Sequence, residues 1–118
     1  VNNVKRICLA LDLVNDEHLI KEYIDYHKPE NAWPEITQNI RDKGILDMEI
    51  YQTGDRLFMI MEVGEEFDPD NFKPSAQAQE KDRAWEQLMW KYQKALPWAK
   101  PGEKWVAMNK IYDLKNAK

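Results

Sequence analysis

Several residue types on which common chemistries depend are scarce in this chain. Its 118 residues include one cysteine, two histidines and four glycines. A lone cysteine excludes both a disulfide scaffold and a zinc knuckle by arithmetic. Cys8 lies in the run Ile7-Cys8-Leu9-Ala10-Leu11, where a small hydrophobe inside a core strand is its ordinary role. There is no glycine-rich phosphate loop, no His-x-x-x-His pair, no Gly-x-Ser-x-Gly elbow and no Cys–His spacing. A transition-metal site would have to be built mostly from carboxylates, so the expectation is chemistry with no cofactor and no metal. No apolar stretch approaches the length of a membrane span, and no membrane partner is expected. Lys5 and Arg6 are not followed by a long apolar run with a small-residue cleavage site, so no signal peptide is expected and a cytoplasmic location is the default.

Positive charge in excess is also missing. The net charge is −4, and Arg41, Lys43, Lys91, Lys94, Lys100 and Lys104 are interleaved with acids. Phosphate binding wants a basic face, so nucleic acid is not an expected partner. What remains is an ordinary globular composition, 43% hydrophobic and 32% charged. Its length suits a single domain spanning residues 1–118 around one core.

Lys5 to Leu13 alternates and then runs apolar, which predicts a strand. Asn15-Asp16-Glu17 is an N-cap cluster with an acid in the first turn. Leu19, Ile20, Tyr23 and Ile24 follow at helical spacing until Pro29 stops them. Pro34 and Glu35 open a second helical stretch that Gly44 closes, so the helix is broken in the middle, beside His27. Ile45 to Thr53 and Arg56 to Val63 predict two strands joined by the hairpin signal Gly54-Asp55. Residues 64–74 form a loop longer than the common connection. Ser75 to Leu96 predicts one long helix with Trp85, Leu88, Met89, Tyr92, Ala95 and Leu96 on its apolar side. Val106 to Leu114 predicts the last strand. The order strand, helix, strand, strand, helix, strand is the α+β, ferredoxin-like split βαβ architecture: a four-stranded antiparallel sheet with its helices on one face. Its other face would be bare and apolar, and is expected to pack on a second copy as a closed homodimer, a dimeric α/β barrel.

The pair Tyr23 and His27 carries the most chemical information. Positions i and i+4 share a helix face, so phenol and imidazole would point into one pocket. Imidazole is the natural proton carrier near neutral pH. The bland alternative is a histidine complementing a helix C-terminus, and a core tyrosine with its hydroxyl at the edge. His18, near a helix start among acids, reads as a solvated surface residue. Trp90 is left at the margin of the buried face, as either a packing residue or one wall of a pocket. Asp12 interrupts an apolar strand and is expected to be buried, hydrogen-bonded and structural. Glu49 and Glu62 are expected to be solvated.

Tyr23-x-x-x-His27, Trp33-Pro34-Glu35, Ile50-Tyr51, Trp90-Lys91-Tyr92, Leu96-Pro97 and the segment Trp105 to Leu114 together resemble the L-rhamnose mutarotase family across nearly the whole chain. The resemblance implies a cofactor-free enzyme interconverting the α and β anomers of a 6-deoxyhexose, working as a dimeric α/β barrel. It implies that His27 is the proton donor, that Tyr23 binds substrate, and that Trp90 is the second residue of a substrate-binding tryptophan pair. Met89 stands where the first of that pair would be, and Met48 where a further substrate tyrosine would be. Losing an indole and a phenol changes which sugar hydroxyls are satisfied, so the reaction carries over better than the sugar. L-rhamnose is the first expectation, and L-fucose or a related sugar the alternative. His27 would act as acid at the ring oxygen, with Tyr23 as a hydroxyl or ring-oxygen contact and the base unassigned. The competing readings are another chemistry on the same fold (a small monooxygenase or lactone isomerase) and a non-catalytic sugar-binding module.

Overall fold

The computed structural model describes residues 4–117 of the chain. The first strand, β1 (Lys5–Leu13), leads through Asp16 into α1 (Glu17–Tyr26). The Asp16 carboxylate accepts from the backbone N–H groups of His18 and Leu19, satisfying donors that the first turn leaves orphaned. Residues 28–32 make a turn, and α2 (Pro34–Asp42) begins with proline at its first position and an acid beside it. Then follow β2 (Ile45–Thr53), β3 (Arg56–Val63), α3 (Ala76–Trp90) and two short strands, β4 (Gln93–Lys94) and β5 (Val106–Ala107). Among the described residues no helix is long and apolar enough to cross a membrane.

The sheet is antiparallel in the order β2-β3-β1-β4, with β5 also paired to β1. This is the α+β arrangement expected from the order of elements, and β1, β2 and β3 have the expected bounds. Gly54, at φ +55°, takes the first central position of the β2–β3 turn, which glycine adopts without steric cost. Gly44, at φ +92°, meets a stricter limit, since a Cβ there would lie 2.8 Å from the backbone nitrogen of Phe67. Only glycine lets the chain leave α2 beneath that loop.

Two expectations need correction. The long helix ends at Trp90, not Leu96, because Gln93 and Lys94 are drawn into pairing with Leu13 and Asp12. The last strand is Val106–Ala107 alone, extended by one bond from the Met108 N–H to the Cys8 carbonyl. Ile111, Tyr112 and Leu114, read as strand residues, are exposed. The far edge of β1 is thus shared between two short pieces, β4 at Asp12–Leu13 and β5 at Leu9–Ala10.

The core on the helix side falls into two groups. One comprises Leu13, Tyr23, Leu57, Met89 and Tyr92, the other Ile45, Met59, Met61 and Val63, and Ile50 and Trp105 pack against both. On the opposite face the register aligns Cys8, Ile60 and Glu49 in one row and Ala10, Phe58 and Tyr51 in the next. Phe58 is 46% and Tyr51 53% exposed there. At the end of this face Asp12 is buried and accepts two bonds from Arg56, from Nε at 2.7 Å and Nη2 at 3.3 Å. It is therefore the structural group its position suggested.

Candidate active site

Between the two core groups, under α1, α2 and α3, lies a cavity of about 620 Å³. That size is within the usual range for small-molecule sites. Its inner end is made by the buried residues Tyr23, Met59, Met89 and Gln93. The walls carry Trp33, Trp85 and Trp105, and the charged groups Glu86 and Lys104 complete the lining on one side. No residue of the 64–74 loop lines it.

Tyr23 and His27 both line this cavity, as their i, i+4 relation on α1 requires, with ring centroids 4.4 Å apart. His27 caps the C-terminus of α1, and its Nδ1 lies 2.7 Å from the Tyr23 carbonyl oxygen. In that bond the nitrogen donates and the carbonyl accepts. This places the neutral ring's proton on Nδ1 and leaves Nε2 as a free acceptor. The Trp85 indole packs edge-on against the imidazole at 5.6 Å, and itself meets Trp33 at 5.1 Å. Burial among these rings lowers the His27 pKa from its ordinary 6.5, against the opposing pull of the Tyr23 carbonyl. The residue as a whole is nonetheless exposed, so the site can exchange protons with water.

The Tyr23 hydroxyl sits deeper. Burial pushes its pKa up to about 12; the bond from Gln93 works the other way and the charge of Glu86 adds to the rise. It stays protonated throughout the physiological range. Gln93 Nε2 donates to that hydroxyl at 3.3 Å. Tyr92, one residue earlier, turns to the other side and donates its hydroxyl proton to Glu22 at 2.8 Å.

Trp90 is not brought into this group. The residue is 42% exposed, with Lys104 Nζ 4.9 Å above its ring, and that lysine lines the cavity and ion-pairs with Glu86 at 2.8 Å. Trp85 and Met89, four residues apart on α3, face the cavity, and Trp90 is rotated off that face. Met48 and Met89 both line the cavity, at the positions where the resemblance puts aromatic residues. His18 is exposed, as expected. Trp33, which follows the Tyr23–His27 pair closely in the sequence, does line the cavity, whereas sequence reasoning passed over Trp85 as packing and did not single out Trp105, Glu86, Lys104 or Gln93 as site residues. The one available signal was the i, i+4 pair of Trp85 and Met89. Gln93, Lys104 and Trp105 converge only through the turns after α3. Among the described residues, no three of His, Cys, Asp and Glu cluster closely enough to hold a metal ion.

Comparison with known proteins shows the family of the chain. Residues 6–114 match the sequence family described as L-rhamnose mutarotase. An L-fucose mutarotase from Xanthomonas campestris pv. campestris is 42% identical over 115 residues, covering 98% of this chain and 92% of the relative. A Dictyostelium discoideum protein is 40% identical over 114 residues, covering 93% of this chain and 90% of its own length. The crystal structure of an L-rhamnose mutarotase from Formosa agariphila superposes with a TM-score of 0.64 at 17% identity, covering 93% of this chain and 98% of that one, and shares its fold.

Proposed function

The chain belongs to the L-rhamnose mutarotase family of carbohydrate isomerases, and from that premise we propose that it interconverts the α and β anomers of a 6-deoxyhexose pyranose without a cofactor. The observation that carries this reading is the tethered His27 ring in a cavity walled by indoles. Mutarotation moves one proton from the anomeric hydroxyl and places one on the ring oxygen, and both oxygens are bonded to the same carbon. A single nitrogen held beside that carbon can serve both. His27 Nε2 takes the anomeric proton and delivers it to the ring oxygen as the bond from C1 to that oxygen breaks. Rotation about C1–C2 and the reverse transfer close the other anomer. His27 is thus both base and donor, which supplies the base that spacing alone left unassigned. The Tyr23 hydroxyl, protonated at all working pH values, holds the sugar by a hydrogen bond. Trp33, Trp85 and Trp105 offer ring faces for its apolar side. Trp90, outside the lining, contributes through Lys104.

L-fucose is the first sugar to try, with L-rhamnose beside it. The 42% identical relative is a fucose mutarotase, and the two methionines depart from the aromatic pattern at the sugar's walls. The test is anomer exchange followed by NMR, with and without protein. Acceleration of one sugar supports the reading, and no acceleration of any 6-deoxyhexose rejects it. The mixed polar and aromatic lining disfavours the apolar-pocket chemistries of other proteins with this fold.

The tethered tautomer dictates a pH profile. The active ring is the neutral one, so protein-catalysed exchange should be level above pH 6.5. It should fall as pH drops through the His27 pKa, which lies below 6.5. A profile rising towards acid after subtraction of the spontaneous rate would reject Nε2 as the starting base.

The exposed apolar face of the sheet supports a homodimer, with Phe58 and Tyr51 at its centre. Light scattering at micromolar concentration should give twice the chain mass, and Phe58→Asp should halve it by burying an unpaired charge. A native monomer would reject the dimer. Cytoplasmic residence, one domain over residues 1–118, and the lack of nucleic-acid or membrane partners remain part of the proposed reading, on the composition given above.

A further inference from the structure

Gln93 is 6% exposed, lines the inner end of the cavity, and spends one amide atom on Tyr23. Its other atom, Oε1, is buried without a hydrogen-bond partner. An orphaned buried acceptor costs stability unless something fills it, so native structures leave few of them without a reason. The neighbouring Tyr23 hydroxyl accepts from Gln93, and that bond does not use its own proton. The two side chains therefore leave one acceptor and one donor side by side at the inner end of the cavity, the acceptor closed off until the Gln93 side chain turns towards a ligand. A hydroxyl group has the complementary need, since it donates once and accepts as well. Turning the amide over would exchange the roles but still leave one Gln93 atom and one Tyr23 function open.

We propose that Gln93 and Tyr23 together clamp a single hydroxyl of the sugar, with Gln93 Oε1 accepting its proton and Tyr23 donating to its oxygen, and that Gln93 is thereby a specificity-determining residue. This rests on the reading of the cavity as a 6-deoxyhexose site. Aromatic walls alone distinguish sugars poorly, because every pyranose has an apolar patch. A buried pair that one particular hydroxyl satisfies rejects the analogue lacking it.

The experiment measures dissociation constants by ligand-observed NMR for L-fucose, L-rhamnose and their monodeoxy analogues, alongside anomer exchange. With native protein, one deoxy position should weaken binding about ten- to hundredfold, the range for leaving a buried polar group unsatisfied. Gln93→Met, close in shape and unable to accept, should bring the parent sugar down to that analogue and leave the analogue unchanged. If all sugars weaken equally in Gln93→Met, or the parent is unaffected, the proposal is overturned. If that variant does not fold, the native panel decides alone, because a flat response to every deoxy position also overturns it. Native protein that binds sugars but does not speed exchange would reject the mutarotase reading while leaving the clamp measurable. Native protein that binds no sugar rejects both.

Discussion

Replacing His27 by alanine is expected to lower the protein-catalysed exchange rate about 10²–10⁴-fold, the usual contribution of one positioned acid–base group. The spontaneous reaction already runs in water, so on the proposed reading this one group would account for most of what the protein has to add. Sugar binding should survive, because the Tyr23 hydroxyl, Gln93 and the indole walls remain. Stability should fall by no more than about 1 kcal/mol, since the loss is one hydrogen bond to the Tyr23 carbonyl and one partly packed ring. NMR exchange spectroscopy and a urea titration on the same sample separate these quantities. Full activity in the variant would remove His27 from the mechanism. Loss of binding and exchange in equal measure would make its role one of shaping the cavity.

Trp85→Ala is expected to damage both fold and chemistry. The indole touches His27 at 5.6 Å, Trp33 at 5.1 Å and Tyr26 at 6.4 Å, so it ties α1 to the start of α2 across α3. Truncating an aromatic in such a place costs about 2–4 kcal/mol, towards the lower end because this ring is only partly buried. Water would then reach the imidazole face, and the His27 pKa should rise towards 6.5 as its desolvation is relieved. Exchange should drop by tenfold or more, because a loosened ring no longer holds its nitrogen against the anomeric carbon. Titration of the His27 ring protons by NMR reads the pKa, and denaturant unfolding reads the stability. An unchanged titration together with unchanged exchange would show that the indole is only a distant wall.

These two residues differ in how far the sequence announced them. His27 was legible because its relation to Tyr23 is local: four residues along a helix is one turn, whatever the rest of the chain does. The three long strands were legible for a similar reason, since alternation with a period of two states both the strand and its buried face. Trp85 was legible as a buried aromatic but not as a neighbour of His27, because the same helical spacing serves a core and a cavity wall. The end of α3 was misread because the stripe through Tyr92, Ala95 and Leu96 continues the helical period. The chain breaks it to pair Gln93 and Lys94 with β1. Edge pairing with a strand some eighty residues earlier leaves no trace in local periodicity, and tertiary context overrides propensity there.

By itself the sequence determined the order of elements, the α+β class, the family, and the tyrosine–histidine pair on one helical turn. The tertiary structure decided that Trp85 rather than Trp90 stands against the imidazole, that Met48 and Met89 line the cavity, and that Gln93 meets Tyr23 seventy residues away with one amide atom left over. The division follows the range of the forces involved. Helix turns and strand pleats are set between near neighbours in the chain. A cavity is set by where distant segments fail to fill space, and that is a property of their packing rather than of any one of them.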